Sequence, residues 1–230
     1  IMTWMDQTTY QGSGERQRGD DLGLETSALT FGRLLHRAME MEWFDPVENA
    51  EVIQLFLEDE GVVTPEDQQP LLDDLAVCLA TYRESQLAAK IAELSAVDKL
   101  PELPVFGYLQ SDTRVFKVTG IIDLLYYENN EWVVLDYKSD KELPPDPEQK
   151  DYAYWYQVQT YLWILKLLYG INARGELYFN RFDKFINIEF EEELYFSRLA
   201  NLEQGHGLKP FLPGAGETSS ELRKIIQQSD

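Results

Sequence analysis

Two strand-like runs flank a pair of asparagines, and this pairing constrains the chain more than any other feature of it. Val115–Tyr127 and Trp132–Lys138 are rich in β-branched and aromatic residues, the composition of strands. Between them stands Glu128-Asn129-Asn130-Glu131. Asn tolerates positive φ, so Asn129-Asn130 reads as a two-residue hairpin turn. Glu128 then faces Glu131, and counting back along both strands sets Asp123 opposite Asp136. Side chains alternate along a strand, so Asp123, Asp136 and Lys138 are expected on one side. Two carboxylates ~5 Å apart repel by roughly 3 kcal/mol at an effective dielectric near 20. An otherwise apolar hairpin holds such a pair only if a shared proton, Lys138 or a divalent cation relieves it. A slip of one residue would send the two acids to opposite faces. The plain alternative is a solvent face on which Lys138 neutralises one acid. Asp-x-Lys by itself does not separate the readings; its setting opposite a second Asp, within Ile-Ile-Asp and Val-Val-Leu-Asp, favours a site.

The rest of the chain arranges itself around this hairpin. Residues 1–25 are polar, without apolar periodicity, and read as a linker or the remnant of an upstream chain. A first residue of Ile suggests a piece of something longer. Thr26, Ser27 or Thr30 is placed to cap a helix to Met41, with Phe31, Leu34, Leu35, Ala38 and Met39 at helical spacing. A second helix is expected over Pro46–Glu60. Thr64-Pro65 reads as a cap with Pro just inside the next helix, which Pro70 should kink or restart. More helix is expected over Gln86–Leu94. Beyond the hairpin, Asp151–Tyr169 reads as a helix closed by Gly170; it is apolar nearly all round and so largely buried. Glu176–Phe182 and Phe185–Phe190 suggest another hairpin about Asp183-Lys184, and Glu191–Gln204 an acidic amphipathic helix. Helices first, then antiparallel strands with a buried helix crossing them, predict a mixed α+β or α/β fold with a central mixed sheet. One domain is expected over 26–230: a helical part (26–100), a sheet-and-helix part (101–190) and C-terminal helices (191–230).

Composition narrows the function. Forty-one acids against twenty bases give a net charge of -21. That argues against a nucleic-acid binder relying on bulk positive charge. The single cysteine, Cys78, excludes an intrachain disulfide framework and any four-cysteine metal site. A reducing, cytoplasmic setting fits. No apolar run approaches the ~18 residues of a membrane span, and no signal peptide opens the chain.

At the hairpin the chain resembles the PD-(D/E)XK nucleases. Gly120-Ile121-Ile122-Asp123, then Asp136-Tyr137-Lys138-Ser139, looks like their core. More narrowly it is similar to the RecB-like branch, the nuclease domain at the C-terminus of RecB and AddA helicase–nucleases. Three outlying signals of that branch have matches here: Gly32-x-x-x-His36 upstream, Glu102-Leu103-Pro104 just before the sheet, and Tyr154-x-x-Gln157-x-x-x-Tyr161 after the lysine. The resemblance implies divalent-metal-dependent hydrolysis of DNA phosphodiesters. Asp123, Asp136, the backbone carbonyl of Tyr137 and the His36 imidazole would hold the metal. Oxygen-rich ligation suits Mg2+, and one imidazole shifts tolerance toward Mn2+. Lys138 would hold or deprotonate the attacking water, with Gln157 and Tyr161 bracing it. Glu102 is a possible further site residue.

Each outlying residue keeps a plainer reading. His36 is also acceptable as a satisfied core histidine, Gln157 and Tyr161 as an i,i+4 core pair, and Glu102 as a loop acid. The iron–sulfur cluster of relatives such as AddB is excluded, because Phe211–Ser220 holds no cysteine. No nucleotide-binding loop occurs, so a helicase motor is expected upstream or on a partner subunit. The expected substrate is DNA, with single strands fed from an unwound end. The rival from another class is a catalytically silent module that keeps the fold for protein interaction or DNA-end guiding.

Overall fold

The computed structural model describes residues 21–110, 115–144, 153–202 and 209–210. Its strands are β1 (Lys99–Gln110), β2 (Val115–Glu128), β3 (Glu131–Lys138), β4 (Ala173–Phe179), β5 (Lys184–Ile188) and a two-residue β6 (Lys209–Pro210). Helices α1 (Asp21–Glu40), α2 (Ala50–Asp59), α3 (Pro65–Glu84) and α4 (Gln86–Glu93) precede the sheet. Helix α5 (Ala153–Ile164) links β3 to β4, and α6 (Glu192–Leu202) follows β5. The linker expected over residues 1–25 lies outside the described residues as far as residue 20, and its last five residues are helical, so α1 starts before the expected caps Thr26, Ser27 and Thr30; the tail expected beyond Pro210 lies outside the described residues.

The asparagine turn forms as expected, with Asn129 at φ 51° and Asn130 at φ 65°. Pairing runs from Glu128 opposite Glu131 to Leu124 opposite Leu135. The strand order is β5-β4-β3-β2-β1-β6. β3 and β4 are parallel, Trp132 beside Ala173 through Lys138 beside Phe179, and every other pair is antiparallel. A helix of crossover length between them permits the parallel pair. β3 is buried from Val133 to Lys138, as a strand covered on both faces must be.

Each face of the sheet carries its own core. On one, α5 and α6 cover Val105, Ile122, Leu125, Val134, Leu177 and Phe179. On the other, α1 to α4 cover Leu124, Tyr126, Val133, Leu135, Tyr137 and Tyr178. α5 is buried nearly all round and continues as a π-helical turn, Leu165–Tyr169, that ends at Gly170 with φ 70°. Gly is suited to that left-handed closing position.

Several boundaries depart from sequence expectation for local reasons. α2 starts at Ala50 rather than Pro46, because the Asp45 carboxylate accepts the N–H groups of Val47 and Glu48 and holds a turn there. α3 neither stops nor restarts at Pro70. The carbonyl that Pro70 leaves without a donor belongs to Glu66, and both residues are exposed, so the missing bond faces solvent rather than the core. Ser85 ends α3 and caps α4, its Oγ accepting the Ala88 N–H at 3.1 Å. No helix among the described residues is long and apolar enough to cross a membrane.

Candidate active site

Alternation fails at one place in the sheet, and the candidate residues gather there. On β2, Ile122 and Leu125 both face the α5 layer, although they are an odd three positions apart, while Leu124 and Tyr126 face the α1–α4 layer. On β1, Leu100 and Leu103 likewise both pack toward α5. The register itself does not slip: Pro101 pairs with Leu124 and Leu103 with Ile122. Between these two pairs stand Glu102 and Asp123. Glu102 has φ 47°, a left-handed value that a non-glycine residue rarely adopts. Both strands therefore switch faces together, and the switch frees the two acids from the ordinary pleat.

Asp123 uses that freedom to turn toward α1. Its Oδ2 accepts the Tyr137 N–H at 2.7 Å, and its Oδ1 lies 3.1 Å from His36 Nδ1. The β2–β3 pairs end at Leu124 and Leu135, so the Asp123 carboxylate occupies the place where the ladder opens. His36 comes from the sheet-facing side of α1, fixed by its buried neighbours Leu34, Leu35 and Ala38. His36, Glu102 and Asp123 each offer a ligand atom, and the three atoms lie within 4.8 Å of one another. They line a small cleft with Tyr137, Met39 and Glu40.

Asp136 turns the other way, toward α5. Its Oδ2 is ion-paired to Lys138 Nζ, and its Oδ1 accepts from Gln157 Nε2 at 3.1 Å. Gln157 also accepts from Lys138 Nζ at 3.0 Å and donates to the Tyr161 hydroxyl at 3.0 Å. One glutamine thus ties acid, lysine and tyrosine together. Gly120 makes room for this arrangement, since a Cβ there would lie 2.5 Å from Tyr161 Cε1. The expectation that Asp123, Asp136 and Lys138 share one face is modified: the two carboxylates take different partners, Asp123 the His36 ring and the Tyr137 N–H, Asp136 the Lys138 and Gln157 side chains, yet stay close enough for Asp123 to raise the proton affinity of Asp136. Asp136, with 1% exposure, and Lys138, with 7%, lie below the surface.

Sequence reasoning passed over Tyr154, although it starts the Tyr-x-x-Gln signal. Lys138 Nζ sits 3.9 Å from its ring centroid, and its hydroxyl bonds the Asp140 carboxylate. The i,i+3 spacing from Gln157 was the available clue.

Burial and the Asp123 charge raise the proton affinity of Glu102 and Asp136. Burial, reinforced by Asp123 and Glu40, pushes Glu102 up to about 7. Burial also raises Asp136, against the pull of Lys138. For His36 burial works downward, but the charge and hydrogen bond of Asp123 outweigh it and the net shift is upward. A cluster that gathers protons in this way is also one that a cation would relieve.

A family model of the PD-(D/E)XK nuclease superfamily matches residues 11–226. Comparison with curated proteins gave no match. Among solved structures, the one described as the crystal structure of SSO0001 is similar at a TM-score of 0.36 and 17% identity, over 81% of this chain and 86% of that one. With the family match running along nearly all of its length, the chain belongs to the PD-(D/E)XK nuclease superfamily.

Proposed function

We propose that the chain is a divalent-metal-dependent deoxyribonuclease, the nuclease part of a RecB/AddA-type helicase–nuclease. It would act as an exonuclease on DNA ends in recombinational repair, fed with single strands by a motor upstream or on a partner subunit. The observation that carries the chemistry is the convergence of His36, Glu102 and Asp123 beside the linked Asp136, Lys138 and Gln157. The RecB-like assignment is supported by the order of the outlying signals around His36, Glu102, Gln157 and Tyr161.

The donor set suits the group. One imidazole and two carboxylates, with Asp136 and the Tyr137 carbonyl on the adjoining strand, match Mg2+ and tolerate Mn2+. A divalent cation held there would supply Lewis acidity to the phosphodiester and activate water. The chain's own residues do the rest. Asp123 holds His36 in orientation through its Oδ1 while the Tyr137 N–H fixes its Oδ2. Lys138 Nζ, held by Asp136 and Gln157, orients the attacking water and offsets charge gathering on the phosphate. Gln157 and Tyr161 keep the lysine on its bearing.

A pH experiment reads the site without any cleavage. A cation must displace the protons that Glu102, Asp136 and His36 hold, so its affinity rises with pH. Stabilisation of the fold by Mn2+ should therefore be larger at pH 8 than at pH 5.5 in thermal melts. The metal-free trend runs the other way. Glu102 has a folded pKa of about 7 against an ordinary 4.5, so its contribution to stability is complete below 4.5 and lost as pH rises through 7. Glu102→Gln should flatten that slope and reduce the Mn2+ effect. A Mn2+ effect that is absent, or equal at both pH values, would count against a metal site here.

A further inference from the structure

Beyond the face switch, β1 and β2 continue as an arm, joined at Leu109 and Gln110 by β6, whose two sides differ sharply. Toward α5 the arm presents Val105, Leu109 and Val118, all buried in the core. The opposite side carries Pro104, Phe106 and Tyr108 on β1, cross-paired with Ile121, Thr119 and Lys117 on β2. Helices α1 to α4 cover the sheet from Leu124 onward, and none of these six residues belongs to their core. Ile121 is 41% exposed, Phe106 and Tyr108 are half-buried, and Lys117 is exposed. The Phe106 and Tyr108 rings meet edge to face, 6.2 Å between centroids, and Lys117 Nζ lies 5.4 Å from the Phe106 centroid.

Three features of this face point to a ligand. It is continuous with the candidate active site: Pro104 and Ile121 each lie two residues from Glu102 and Asp123 on the same strands. None of its six described residues is a carboxylate, whereas the chain as a whole holds 41 acids. It combines aromatic rings with one cation, the chemistry that receives unpaired bases: rings stack on any base, and a lysine meets the backbone phosphate. Paired bases offer no free face to such rings, so the fit is to a single strand.

We infer that the Phe106–Tyr108–Lys117 face is a stacking platform for single-stranded DNA, which leads the strand toward Glu102 and Asp123. This rests on the nuclease reading of the site and adds to it where the single strand lies. It also offers an account of how so acidic a chain holds DNA at all, through base stacking rather than a broad basic surface.

The test is fluorescence anisotropy at low salt, with a chelator present so that no cleavage occurs, using a labelled oligothymidylate and the 230-residue chain. Stacking is lost on truncation to the extent of roughly a fivefold to hundredfold weaker binding per base. Phe106→Leu/Tyr108→Leu keeps apolar cover over the arm and removes the rings; it should bind at least tenfold more weakly at an unchanged melting temperature. Phe106→Tyr/Tyr108→Phe should bind as the parent does. An abasic strand of equal length should bind the parent and the Leu variant equally weakly, because it keeps the phosphates and lacks the bases. Leu-variant binding equal to that of the parent overturns the platform. So does abasic binding as tight as oligothymidylate binding, or a parent chain that binds no single strand. A parallel cleavage and melting assay separates the two levels: metal-dependent cleavage with ring-independent binding fails the platform alone, whereas ring-dependent binding by a chain that neither cleaves DNA nor gains stability from Mg2+ or Mn2+ fails the nuclease reading alone.

Discussion

Lys138→Ala is expected to lower DNA cleavage by about a thousandfold, in the range typical for removing a group that moves a proton or stabilises transition-state charge. Among the described residues no other lysine or arginine is ion-paired with Asp136. Its Nζ is the cation paired with Asp136, and Gln157 and the Tyr154 ring fix its direction. Removal also has a structural consequence that must be kept apart from catalysis. Asp136 is 1% exposed, and an ionised carboxylate left there alone costs about 3–5 kcal/mol. Its proton affinity is already raised by burial, with Lys138 the main opposing influence, so the variant relieves the cost by protonating Asp136. Lys138→Ala should therefore melt closer to the parent at pH 5.5 than at pH 8. Lys138→Ala/Asp136→Asn should remove that pH dependence and stay inactive. Retained cleavage in a folded Lys138→Ala variant would contradict the role assigned to the lysine.

Asp123→Asn should lose cleavage to a comparable degree, together with the melting-temperature gain from Mg2+ or Mn2+, yet leave the metal-free fold within about 1 kcal/mol of the parent. The asparagine carbonyl can still accept the Tyr137 N–H, the bond that closes the opening between β2 and β3. What goes is charge. Asp123 attracts His36 but raises the proton affinity of both Glu102 and Asp136, so its removal forfeits one favourable interaction and relieves two unfavourable ones. A residue that serves the fold would not behave so; a residue held at some cost for function would. Calorimetry or thermal melts with and without Mn2+ check both halves. A metal-dependent gain in melting temperature that survives the substitution would remove Asp123 from the metal site.

How much of this was legible in the sequence differs from element to element. The hairpin was, because a two-residue Asn-Asn turn admits one register, and the observed pairs from Glu128–Glu131 onward follow it. The long helix was, because Gly170 punctuates it and its residues are apolar on every side. The face switch was not. Alternation assumes regular pleating, and nothing in Pro101-Glu102-Leu103 announces a left-handed Glu102, so Asp123 and Asp136 were expected side by side. The opening of β4 was also missed: Ala173-Arg174-Gly175 has little strand propensity, and parallel pairing with Trp132–Val134 fixes it there. Gly175 is needed for a reason only packing reveals, since a Cβ would lie 2.2 Å from Val158 Cγ1. Glu102, which the sequence offered as a loop acid or a further site residue, is the third member of the His36–Asp123 cluster.

The most direct test of a metal-dependent deoxyribonuclease is cleavage of end-labelled linear single-stranded DNA at low salt, with Mg2+, Mn2+ or chelator and with Lys138→Ala run alongside. Metal-dependent shortening of the strand from its end is expected, absent with chelator and lost in the variant. Cleavage that persists in chelator, or a folded parent chain that neither cuts DNA nor gains stability from either metal, would contradict it.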